Sequence, residues 1–126
     1  MWIPYEHMKK HPQDFDVRYK LYTYEEGGRK ATYQGLRCDF LYSGDDVRDG
    51  IYMIHPEFED QTGKVIVDLE TPVSLTGTAR MWIIISEMRD NTHKNRIKVG
   101  TKGYMMEGSR RIGEVEVIRI VGLFTN

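Results

Sequence analysis

The chain has 126 residues, 40% apolar and 29% charged, a balance that fits one globular domain and excludes a disordered segment. Eighteen Lys and Arg against 19 Asp and Glu leave a formal net charge of −1, so no global field draws the protein onto nucleic acid or an anionic membrane. A single cysteine, Cys38, excludes an internal disulfide and a cysteine-based zinc site, and no run approaches the ~18 apolar residues of a bilayer span.

Residues 1–16 hold Pro4, Pro12, His7 and His11 without an alternating pattern. They are expected to form an arm, packed on the domain or partly disordered, with Pro4 starting one helical turn towards Met8 and Lys10. Met1 to His7 lacks a basic region followed by an apolar run, so no secretory signal is expected and the default setting is the cytoplasm.

From residue 17 the pattern is that of strands, and residues 17–126 are expected to form the domain. Val17, Tyr19, Leu21 and Thr23 share one face of the first strand, and Arg18, Lys20, Tyr22 and Tyr24 the other. Glu25, Glu26, Gly27 and Gly28 break it, since paired glycines permit positive φ. Further strands are expected over 36–43, 51–59 (where Pro56 requires an edge or a bulge), 65–69, 78–87, 96–106 and 111–121, with 90–95 a polar loop. No helix of ten or more residues is expected. The run Met81 to Ile85 is the most apolar, with Trp82 and Ile84 expected to be buried beside Phe40 and Ile84→Ala to cost ~2–4 kcal/mol. Six or more short strands joined by glycine-rich turns imply an all-β barrel or sandwich, and closure would remove the exposed edges.

The chemistry of a self-sufficient enzyme is missing. Ser74, Ser86 and Ser109 lie in no Gly-x-Ser-x-Gly elbow, and there is no glycine-rich phosphate loop. His7 and His11 are four apart but lack further ligands, His55 and His93 read as surface or packing residues, and Asp45, Asp46 and Asp49 read as a solvated turn without calcium-loop spacing. No metal or cofactor is expected. Arg96, Lys98, Lys102, Arg110 and Arg111 fall in one predicted hairpin with Tyr104, either as a solvated face or as phosphate contacts beside a stacking ring.

Two segments carry a family likeness. Residues 20–29 end in Glu25-Glu26-Gly27-Gly28-Arg29 and are followed by Gly35-Leu36-Arg37-Cys38-Asp39-Phe40; later comes Glu107-Gly108-Ser109-Arg110-Arg111-Ile112-Gly113. In this order and at this separation they resemble the third, C-terminal domain of elongation factor Tu, over residues ~17–121. The resemblance implies a six-stranded closed Greek-key barrel, with Gly27 and Gly28 supplying a hairpin turn, Gly108 another, and Gly113 a close strand approach. In the family this domain carries part of the aminoacyl-tRNA surface, at positions matching Arg29, Glu107 and Gly108, and also meets an exchange factor and the GTPase domain. These 126 residues are expected to be this one module without a GTPase domain; within them Cys38 stands where the family has proline, Asp39 replaces a neutral residue, and Leu36 a tyrosine.

The expected function is a non-catalytic, stand-alone binding module. Its candidate contact residues are Arg29, Tyr33, Asp39, Tyr42, Glu107, Gly108, Arg110 and Arg111. A protein partner is favoured, because Asp39 and the near-zero net charge oppose a polyanion; a structured, tRNA-like RNA is the alternative, and neutralisation of a toxin by an immunity-type protein is one form the protein partnership could take.

Overall fold

The computed structural model describes residues 1–126. Six strands form one antiparallel sheet: β1 (Phe15–Leu21), β2 (Asp39–Tyr42), β3 (Ile54–Phe58), β4 (Thr76–Ile83), β5 (Lys102–Glu107) and β6 (Arg110–Ile120). Their order is β2–β5–β6–β1–β4–β3. The sheet curls into a half-barrel, bent by irregularities at Asp16/Val17 and Met105/Met106. The two outer strands approach one another where Phe40 and Tyr52 exchange both backbone hydrogen bonds, at 2.8 and 2.9 Å.

The alternation of β1 is realised from Val17 to Leu21, where the strand ends; Tyr22, Thr23 and Tyr24, expected to continue it, lead into the turn. Phe15, Val17, Tyr19 and Leu21 are buried in a core of 19 residues, while Arg18 and Lys20 are exposed. Pro56 lies on β3, which ends the strand order, where a missing N–H costs no ladder bond on the open side. Gly113 allows a close approach: a Cβ there would lie 2.9 Å from the Lys20 carbonyl.

Several expectations are corrected. Phe15 and Asp16 belong to β1, so the N-terminal arm stops short of residue 16. The arm packs on the domain and carries α1 (Tyr5–Lys9) directly after Pro4. In β4 the inward face is Ala79, Met81 and Ile83, not Trp82 and Ile84. Trp82 is buried on the outer face, beneath Tyr5 and His11 of the arm, while Ile84 is only half-buried beyond the strand end. Residues 65–69 make a single bridge, Glu59 to Val65, in place of a strand.

The expected polar loop at 90–95 is helical. A short α2 (Ser86–Met88) runs into a π-helical turn (Arg89–His93) and then α3 (Lys94–Arg96). What anchors this segment is polar: Arg89 and His93 are buried, and Arg89 reaches Asp14 at 2.7 Å. Arg96 therefore closes a helix instead of opening a strand.

The Gly27–Gly28 turn does not join hairpin partners, because β1 and β2 are separated in the sheet by β6 and β5. The two glycines do different work. Gly27 has φ +99°, whereas Gly28 is required by proximity, since a Cβ there would collide with the Tyr22 carbonyl. Gly108 has φ +59° and open space around it. Gly28→Ala is accordingly expected to destabilise by more than ~1 kcal/mol through the clash, and Gly108→Ala by about 1 kcal/mol through backbone strain alone. Asparagine, which tolerates the left-handed region, should rescue position 108 but not position 28 in thermal melts.

Candidate binding site at the two glycine turns

After β1 the chain turns tightly: the Gly28 and Glu26 amides donate to the Thr23 carbonyl at 2.8 and 3.1 Å, and the Glu26 carboxylate accepts the Thr23 amide at 2.9 Å. This delivers Arg29 against the β5–β6 hairpin. The Arg29 guanidinium meets Glu107 at 2.6 Å, and Arg110 meets the other oxygen of the same carboxylate at 2.9 Å. Glu107 and Arg110 pair across the hairpin, with Gly108 at its tip. One acidic side chain thus fixes two guanidinium groups, that of Arg29 from a turn 78 residues before Glu107 and that of Arg110 from its own hairpin.

Beside them is a shallow depression of about 460 Å³, lined by Tyr24, Gly28, Arg29, Lys30, Ala31 and Arg110. The Lys30 ammonium sits 5.2 Å from the Tyr24 ring centroid, and Arg111 stacks at 3.9 Å on Tyr104. Tyr22 donates to Glu114 at 2.9 Å, and burial together with that bond raises its hydroxyl to about 12. The floor offers hydrogen-bond donors, positive charge and one exposed ring, a combination suited to capturing carboxylate or phosphate groups on a larger partner.

Of the eight sequence candidates, Arg29, Glu107, Gly108 and Arg110 come together here. Arg111 continues the cluster on β6, and Asp39 lies on β2 across the intervening β5, paired with Met106, which in turn pairs with Arg111. Tyr33 is 40% exposed on a loop pinned at Thr32 and Gln34, which bond to Val73, Phe58 and Ile66. Tyr42 is a correction: it is 2% exposed, in the core, edge-on to Phe40 and Tyr52. Sequence reasoning missed Tyr24 and Lys30. They flank the Glu-Glu-Gly-Gly turn, and a ring and a cation on either side of a tight turn are brought face to face by it.

The single basic hairpin is also corrected. Arg96 is withdrawn from it: its guanidinium makes two 2.8 Å bonds to Asp45 and covers the Tyr42 ring at 3.8 Å. Cys38 is buried, and that burial pushes its thiol up to about 12, which disfavours the thiolate.

Tyr42 has its own consequence. Its hydroxyl lies 2.6 Å from His93 Nδ1, and burial depresses the imidazole to about 4, with Arg96 and Arg89 adding to the effect against Asp14. As pH falls below the ordinary value of 6.5 the unfolded chain binds the proton first, so this contribution is intact above ~6.5 and is lost on descent towards 4. Urea titrations at pH 7 and 4.5 should differ by a component on the order of 2 kcal/mol that His93→Gln abolishes.

A scan against protein-family models returned no match, and a search of curated proteins returned none either. No helix is long and apolar enough to cross a membrane.

Proposed function

We propose that the chain is a non-catalytic binding module, a relative of the third domain of elongation factor Tu, and that it holds an acidic surface of a protein partner at the two glycine turns. The observation that carries this is the pair of guanidinium groups, Arg29 and Arg110, preset by Glu107 over a depression completed by Lys30 and Tyr24. Preset arginines lose little freedom on binding, and Arg and Tyr are the residue types that anchor interfaces. The strand order and the Phe40–Tyr52 bridge between the outer strands support a closed Greek-key barrel of that family's type.

A protein is favoured over RNA because Glu107 sits among the cations, Asp39 is close by, and the net charge is −1. The competing reading, a tRNA-like helix, draws on Arg111 stacked over Tyr104. Filter binding with total tRNA separates them. No saturable binding is expected at ~150 mM salt, whereas micromolar binding that persists there would overturn the protein reading. In the positive arm, tagged wild-type protein should retain a partner from native lysate that Arg29→Ala/Arg110→Ala loses. An antagonised toxin is one form such a partner would take.

A further inference from the structure

We propose that the seat around Glu57 is a peptide-binding site, filled in this structure by the chain's own N-terminal arm and open to a segment of a partner protein that presents a tryptophan followed three residues later by an aromatic residue. Glu57 is fully buried, and no lysine or arginine forms an ion pair with it. Its carboxylate is satisfied by three neutral donors: the Trp2 indole N–H and the Tyr5 amide at 2.8 Å on one oxygen, and the Trp82 indole N–H at 3.1 Å on the other. Burying a carboxylate against neutral donors is costly, and two of the three come from the arm. The body supplies the carboxylate and one donor, Trp82, and the arm supplies the other two.

The fit is specific. Gly35 leaves room for the Trp2 ring, since a Cβ there would lie 2.9 Å from it. The Trp2 amide donates to the Val67 carbonyl at 2.8 Å, as an added strand would. Tyr5 packs edge-on to Trp2 at 5.0 Å and against Trp82 at 5.6 Å. The rest of the arm adds two side-chain contacts to β4, Glu6 to Arg80 at 3.8 Å and His11 against Trp82 at 5.7 Å. Residues 1–11 reach the body by backbone hydrogen bonds only at Trp2 and Tyr5, while His7 and Lys10 donate within the helical turn. Beyond α1 the chain leaves through Lys10, in the left-handed conformation at φ +59°, and Pro12. The arm is thus built as a tethered ligand. Its short tether gives an effective concentration in the millimolar range, which a competing segment has to outbid.

The test uses the full chain. A labelled synthetic peptide of residues 1–11 is titrated by fluorescence anisotropy into wild-type protein and into Trp2→Ala, whose own arm is weakened. Saturable binding to Trp2→Ala is expected, at least about tenfold tighter than to wild type, and a peptide itself carrying Trp2→Ala should not bind. Circular dichroism checks that the variant is folded; a folded variant that ignores the peptide, or equal binding by both proteins, overturns the proposal. Should the variant not fold, isotope-labelled wild type with several millimolar unlabelled peptide decides: residues 1–9 should move to random-coil amide shifts as the arm is displaced, and an unmoved arm overturns the proposal.

Discussion

Asp14→Ala is expected to lower the unfolding free energy by about 3–5 kcal/mol, measured by urea titration. The carboxylate is fully buried immediately before β1 and gathers donors from three residues: the Ile83 amide at 2.8 Å, Arg89 through Nε at 2.7 Å and Nη2 at 3.4 Å, and the Asn126 side-chain amide at 3.0 Å. It therefore ties together the start of β1, the end of β4, the π-helical turn and the C-terminus. Alanine leaves a guanidinium that is itself almost fully buried without its counter-charge, and leaves the Ile83 N–H unsatisfied. Combining it with Arg89→Met removes the stranded charge, so the double variant should be more stable than Asp14→Ala alone. A single-variant loss below about 1 kcal/mol would mean that water or a rearranged Arg89 takes over the role of Asp14.

How much of this was legible in the sequence depended on whether a face met water. β1 was readable because Arg18 and Lys20 are solvated between buried Val17, Tyr19 and Leu21. β4 was not, because the arm covers its outer face: with Trp82 buried there and Met81 and Ile83 buried on the other side, the run carries no alternation from which to take a phase. The helical segment after β4 was hidden because it is pinned by Arg89 and His93, residue types that ordinarily signal surface. The placement of Tyr42 was within reach. It lies two residues from Phe40 on one strand, so a buried Phe40 already directs Tyr42 inward. Arg29 and Glu107 came from family motifs; that they touch is a product of a strand order that sequence spacing does not reveal.

Phe40→Ala is expected to cost about 3–5 kcal/mol, while Ile84→Ala costs no more than about 1 kcal/mol. Phe40 is 1% exposed, and its backbone exchanges both hydrogen bonds with Tyr52 where the two outer strands meet. Its ring lies edge-on to Tyr42 at 4.9 Å and fills the space left by Gly103, where a Cβ would come within 2.5 Å of it. Gly103 has no side chain, Tyr42 is held by His93 and Arg96, and β2 is already flanked by β5. The adaptable neighbour is Met105, the cross-strand partner of Phe40, and its repacking sets how much of the cavity term is recovered. Ile84 lies beyond the end of β4, half-buried, and loses only partial contact with solvent excluded. Equilibrium urea melts of the two variants, compared at equal slope, read the phase of the sheet directly. The opposite ranking, with Ile84 the costly position, would place the core on the Trp82–Ile84 face and overturn the register described for β4.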